Sequence, residues 1–231
     1  MDTADTPWIS DCRIMGRLFL TRTSVRLNPF LCWRNLVKLK RIAVFCGSRV
    51  GTRLSYAEMA SALGCAFIER QIGLVYGGGG VGLMGRISDT LKNGGGEIIG
   101  IIPYALLARE VGRTDIGELR VVRSMHERKA MMVEISDGFI ALPGGFGTFE
   151  EFCEIVTWAQ LGLHAKPVGL LNVDSYFDPL IEQFDRAVAE QFVYPETRNL
   201  ILHETNPNRL LDLMESWQPP KVEKWIDLDE A

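Results

Sequence analysis

The chain has 231 residues, 47% hydrophobic and 23% charged, enough for one globular domain with a real core. A net charge of −4 excludes a protein that grips nucleic acid through a general basic surface, and no apolar run is long enough to span a bilayer. Five scattered cysteines, never paired as C-x-x-C, and three histidines without ligand spacing exclude a disulfide frame and a metal site, and point to a reducing compartment such as the cytoplasm.

Residues 1–40 read as an extension. From Cys12 to Arg41 there are eight Lys or Arg and no acid. An Arg-rich, acid-free leader fits an organelle-targeting segment, but Asp2, Asp5 and Asp11 speak against one unless translation starts at Met15. An ordered or flexible extension without a targeting role, or a misassigned start codon, is the favoured reading. From Arg41 the pattern turns regular. Arg41–Cys46 is a short apolar run stopped by Gly47-Ser48, a buried strand. Residues 55–70 have helical spacing, with Met59, Leu63 and Phe67 on one face. A second strand at 73–76 runs into Gly77–Gly80, a helix covers 83–93, and a third strand covers 98–102 before Pro103. After a longer connection over 103–119 come a helix at 125–135, a strand at 138–142, and a helix from about Phe149 to Leu161. A strand at 167–171, a helix at 177–191, an apolar run at 200–202 and a helix near 207–217 complete the domain, and 218–231 is a polar tail. Buried strands alternating with helices predict an α/β fold, a doubly wound Rossmann-like parallel sheet with helices on both faces. Ligands in such sheets bind beyond the carboxyl ends of the strands, where three glycine-rich loops are expected to converge.

The loop Pro143-Gly144-Gly145-Phe146-Gly147-Thr148 lies between a strand and a helix. Glycines there let main-chain amides approach an anion, the helix start adds partial positive charge, and Thr148 offers a hydroxyl, so phosphate is the natural guest. Glu150 and Glu151 follow, in what reads as the first helical turn, where a phosphate would repel them. At least one carboxylate should therefore face something cationic, and a ribosyl centre losing its base develops that charge. Gly77–Gly80 and Gly82 also follow a strand and open a helix, and Glu97 stands where a dehydrogenase carries its ribose-binding acid. Four consecutive glycines depart from the usual fingerprint, and some of them serve close helix–strand packing. Arg128 and Lys129 near a helix start oppose the helix dipole, which an anionic substrate would offset.

Cys46-Gly47-Ser48, the Gly77–Gly85 run, Met125-His126-Glu127-Arg128-Lys129-Ala130, Pro143–Glu151 and Thr157–Gly162 occur in this order. Together they resemble the Lonely Guy phosphoribohydrolases, whose hallmarks are PGGxGTxxE and an Arg-Lys pair, over roughly residues 41–215. The resemblance implies hydrolysis of a cytokinin riboside 5′-monophosphate, or AMP, to free base and ribose 5-phosphate, by a homodimer without metal or other cofactor. It makes Arg128 and Glu151 the catalytic pair. It lines the substrate site with Glu110, Lys129, Gly145, Phe146, Gly147, Thr148, Phe149, Glu150, Glu151 and Thr157. Gly47, Ser48, Gly78, Gly79 and Gly82 are candidates for phosphate or ribose contacts. Arg49 departs from the family, which often has a second Ser in that loop. Such proteins have also been labelled lysine decarboxylases, yet no pyridoxal-binding lysine pattern is recognisable. Phe149, Phe152, Trp158 and Val156 suit either a dimer interface or the core. Two rival readings are a nucleotide or molybdopterin carrier of related fold that turns nothing over, and a dinucleotide-dependent oxidoreductase. The hydrolase reading requires Glu151 to lie close to Arg128 and free of a purely structural bond.

Overall fold

A computed structural model describes residues 37–107, 115 and 117–220. It contains a seven-stranded sheet in the order β4-β3-β2-β1-β5-β6-β7, every pairing parallel. The strands are β1 (Arg41–Phe45), β2 (Gly73–Tyr76), β3 (Ile98–Pro103), β4 (Glu118–Val122), β5 (Gly138–Ala141), β6 (Val168–Leu171) and β7 (Ile201–Glu204). The main helices are α1 (Leu54–Arg70), α2 (Gly82–Asn93), α4 (Met125–Ile135), α5 (Phe146–Gln160), α6 (Asp178–Ala189) and α8 (Pro207–Ser216). Two single-turn helices, α3 (Tyr104–Leu107) and α7 (Pro195–Arg198), lie in connections.

Alternation along each strand builds one core on each face of the sheet. In β1, Ile42 and Val44 join Leu63, Phe67, Ile87 and Leu211 from α1, α2 and α8. Ala43 and Phe45 point the other way and join Met132, Phe152 and Ile155 from α4 and α5. Leu39 is buried in the first of these cores, and Val37 N–H donates to the Glu215 carbonyl, so the chain enters the domain before β1.

Two expectations need correction. The connection over 103–119 is not structureless to its end: Glu118–Val122 adds an edge strand on β3, with Pro103 itself paired to Val122. Its half-exposed, charged sequence, ELRVV, lacks the apolar run by which the buried strands are recognised. The second concerns α5, which begins at Phe146 rather than near Phe149. Gly145, which is the N-cap, and helix-poor Gly147 hide this start. Phe152 is also settled: it is a core residue, whereas Phe149, Val156 and Trp158 are partly buried against the same core.

The chain runs outward from β1 in both directions, through β2 on one side and β5 on the other. The crevice between the carboxyl ends of β1 and β5 is thus the switch point at which such sheets bind ligands.

Candidate active site

The three glycine-rich loops do meet at this crevice. Gly47 N–H donates to the Pro143 carbonyl at 3.0 Å, and Leu83 N–H donates to the Gly47 carbonyl at 3.0 Å. This second bond separates the two helix starts that could hold an anion. One early amide of α2 is already spent on the first loop, and Gly82 lies against the backbone of Ser48 and Arg49. Gly78 and Gly79 are buried, and Gly78 faces Leu119 and Ile102 of the sheet edge. Most of this glycine run therefore serves packing, and of the five candidate contact residues in these two loops only Ser48 is exposed.

The start of α5 is different. Its N-cap is Gly145 in extended conformation, with no side-chain cap, so the first amides of a fifteen-residue helix lack the partner that a capping side chain supplies. Gly145, Phe146 and Gly147 are exposed, and nothing lies within 4 Å of where a Cβ would stand on either glycine. Thr148 is buried behind the loop, its Oγ1 so near Gly144 that a Cβ there would meet it at 2.1 Å. Uncapped amides and the positive end of the helix dipole make this a site for an anion.

Beginning α5 at Phe146 moves the acids. Glu150 and Glu151 are in the second turn, and the first turn holds no acid. The repulsion expected between a phosphate and a first-turn carboxylate is correspondingly relieved. The two glutamates then diverge. Glu150 is exposed and turns to Lys129 Nζ at 2.6 Å. Glu151 is almost buried, with Oε1 3.6 Å from Arg128 Nη2.

Arg128 and Lys129 likewise separate. The start of α4 is capped by Ser124, whose Oγ accepts from Glu127 N–H at 3.1 Å, while the Glu127 carboxylate accepts from Arg123 N–H at 2.7 Å. Glu127 thus supplies the first-turn acid that the dipole favours. Lys129 is buried between Glu150 and, at 2.8 Å, Glu154. Burial works against its charge, but the hydrogen bonds it donates to the two carboxylates outweigh it and the pKa rises above the ordinary lysine value. The expectation that Lys129 awaits an anionic substrate is therefore corrected: two acids one helical turn apart on α5 already satisfy it.

Arg128 keeps its capacity. Its side chain is 7% exposed, and its buried Nε has no hydrogen-bond partner. The tip of the guanidinium rests on Gly77, where a Cβ would stand 2.1 Å from Nη2. At 3.6 Å the contact with Glu151 is a loose ion pair rather than a good hydrogen bond. A nearly buried cation with an idle donor, a nearly buried carboxylate at arm's length and uncapped amides form an incomplete set that a phosphorylated ligand would complete. Cys46, at the end of β1, feels the same carboxylate: burial and then the charge of Glu151 push its thiol well up, so it stays protonated and is no nucleophile.

Thr157 is not brought to this cluster within the chain. Its hydroxyl donates to the Cys153 carbonyl of its own helix at 2.7 Å, about 14 Å along the axis from Thr148. Glu110 lies outside the described residues. Glu97 pairs with Arg41 at 2.6 Å, at the amino ends of the strands and away from the crevice, which removes the ribose-binding acid of the oxidoreductase reading. The hydrogen bond from Arg41 holds its carboxyl below the usual range. Among the described residues, no group of three or more His, Cys, Asp or Glu is placed to hold a metal ion. One residue that sequence reasoning missed is Tyr176, whose hydroxyl donates to the Gly144 carbonyl. Its only signal was a polar-tipped aromatic just past the carboxyl end of a strand.

Residues 84–214 match the family model described as "possible lysine decarboxylase". The chain is 50% identical over 182 residues to the cytokinin riboside 5′-monophosphate phosphoribohydrolase LOG1 of Arabidopsis thaliana, covering 79% of this chain and 85% of that one. It is also 50% identical over 182 residues to the probable phosphoribohydrolase LOGL6 of Oryza sativa subsp. japonica, of which it covers 73%. Among solved structures, the molybdenum cofactor binding protein of Rippkaea orientalis is similar, with a TM-score of 0.58 and 25% identity over 76% of this chain and 95% of that one. The molybdenum cofactor carrier protein of Chlamydomonas reinhardtii shares the fold at a TM-score of 0.56 and 20% identity, over 74% and 98% of the two chains. The family match spans the Arg-Lys pair and the glycine loop with its glutamates, and the chain belongs to the Lonely Guy (LOG) family of cytokinin riboside 5′-monophosphate phosphoribohydrolases.

Proposed function

We propose that the chain hydrolyses the N-glycosidic bond of cytokinin riboside 5′-monophosphates, or of AMP, releasing the free base and ribose 5-phosphate. The observation that carries this reading is the Arg128–Glu151 pair, nearly buried, 3.6 Å apart and beside the uncapped start of α5. The 5′-phosphate docks on the amides of Gly145, Phe146 and Gly147, with Arg128 holding a phosphate or ribose oxygen through its forked donors. Glu151 faces the anomeric carbon. As the bond to the base breaks, its electron pair leaves with the base, and the carboxylate stabilises the cationic sugar. Water then bonds to that carbon and gives its proton to Glu151, while the base takes a proton from solvent.

The likeness to molybdenum cofactor proteins supports a second reading, a carrier that binds its ligand unchanged. A pure anion sink gains nothing from a carboxylate beside its arginine, which favours hydrolysis. The experiment is direct: incubate the protein with AMP and with isopentenyladenosine monophosphate, and separate the products by chromatography. Release of adenine and isopentenyladenine supports hydrolysis, and tight binding without release supports the carrier.

We also propose a homodimer. Helix α6 has no fully buried residue, its Leu180, Ile181 and Phe184 are only partly covered, and Phe192 and Tyr194 beyond it are exposed. Light scattering on the purified chain tests this.

A further inference from the structure

After β6 the chain passes through one 3-10 turn, Val173–Ser175, before α6. Asp174 and Ser175 both have left-handed backbones, with φ of 48° and 61°, uncommon for residues other than glycine. The turn is held from the start of α1: Ser55 Oγ donates to Asp174 Oδ2 at 2.5 Å, and Arg53 Nη1 donates to the Asp174 carbonyl at 3.3 Å. On its other side, Asn172 accepts from Phe177 N–H at 2.8 Å and donates to Asp178 at 2.6 Å. These bonds fix the backbone on both sides of Tyr176. The ring itself meets Tyr56 and Phe177 edge-on, at 5.7 and 5.1 Å, and stacks on Phe149 of α5 at 6.5 Å. Little freedom remains to its hydroxyl, which donates to the Gly144 carbonyl.

That carbonyl belongs to the peptide unit whose other end is the Gly145 N–H. A trans peptide is planar, so its C=O and N–H point in opposite directions. Tyr176 packs against both cores and holds the carbonyl from inside the domain. The Gly145 amide is thereby turned outward, to the side where Gly145 is exposed and has no neighbour. With glycines at 144 and 145, nothing in the local chain would otherwise choose this orientation over its reverse.

We infer that Tyr176 is a positioning residue for the phosphate site: it never touches the substrate, but sets the direction of the Gly145 amide that does. The inference rests on the proposed phosphate site at the start of α5. Interactions with the phosphate are the same before and during bond cleavage, so losing the hydroxyl weakens binding uniformly and leaves the chemical step intact.

The test compares wild type with Tyr176→Phe, which keeps the ring contacts and removes one oxygen. Binding of inorganic phosphate and of ribose 5-phosphate is measured by calorimetry, and KM and kcat with AMP. The expected result is weaker binding of both anions and a higher KM, each on the order of five-fold, with kcat within about two-fold. Unchanged anion affinity, or a fall in kcat at constant affinity, overturns the inference. Anion binding is read without turnover, so a wild-type chain that binds phosphate yet releases no base defeats the hydrolase proposal while Tyr176→Phe still decides this one.

Discussion

Gly77→Ala probes the catalytic arrangement without touching a charge. The substituted methyl would stand 2.1 Å from Arg128 Nη2, 3.2 Å from Cζ and 3.4 Å from the Met84 sulfur. An ordinary carbon–nitrogen contact needs about 3.4 Å, so the guanidinium must retreat by roughly 1 Å. The atom in the way is the tip of a flexible side chain, which can yield, and the fold should lose no more than about 1 kcal/mol. The site has no such tolerance, because a displacement of this size costs on the order of 10²-fold in rate, or about 2.7 kcal/mol of transition-state stabilisation. The assay is kcat/KM for adenine release from AMP, with the thermal midpoint measured in parallel. A variant with wild-type midpoint and wild-type kcat/KM would refute the claim that Arg128 must rest against this strand end.

Glu151→Gln should retain AMP binding and lose about 10²-fold or more in kcat, and single-turnover kinetics at the wild-type rate would remove Glu151 from the mechanism. Lys129→Met strands Glu154, which is only 22% exposed in its side chain, so it should lower stability by about 1–3 kcal/mol in denaturant melts. A large rise in KM with unchanged stability would instead make Lys129 a substrate ligand. His164 predicts a pH effect. Burial lowers its pKa from 6.5 to about 4, and its Nε2–H donates to the Ile155 carbonyl at 2.9 Å while Nδ1 accepts from Lys166 N–H. Between those pH values the unfolded chain binds a proton that the native ring refuses. Its contribution is complete above pH 6.5 and is lost as pH falls toward 4, by up to about 1.4 kcal/mol per unit. His164→Asn should flatten the stability–pH curve across this window, and an unaltered slope counts against the assignment.

The sheet was legible because its central strands are short unbroken apolar runs, each closed by glycine or proline, and that pattern has few other solutions. Arg128 and Glu151 were legible through the family motif rather than through periodicity. What escaped has identifiable causes. The first turn of α5 follows a glycine N-cap and contains Gly147, a poor helix former, so it does not read as helix. Strand β4 alternates charged and apolar residues at an edge and reads as a loop. The engagement of Lys129 was within reach, since Glu150 and Glu154 share one face of α5, but the pairing of α4 with α5 is a property of the fold. Tyr176 was out of reach, because its partner is a main-chain carbonyl from a distant part of the chain and leaves no trace in spacing.

Arg128 and Lys129 are neighbours in sequence, but successive residues on a helix point about 100° apart, and the two cations face different surroundings. The order of the dipeptide therefore carries information that its charge does not. A homologue reading Lys-Arg would conserve net charge, helix and capping, yet would present an ammonium to the strand ends and a guanidinium to the acids of α5. Without a fork-shaped donor over the crevice, such a chain should be grouped with binders of phosphorylated ligands rather than with hydrolases, however closely the rest of it aligns.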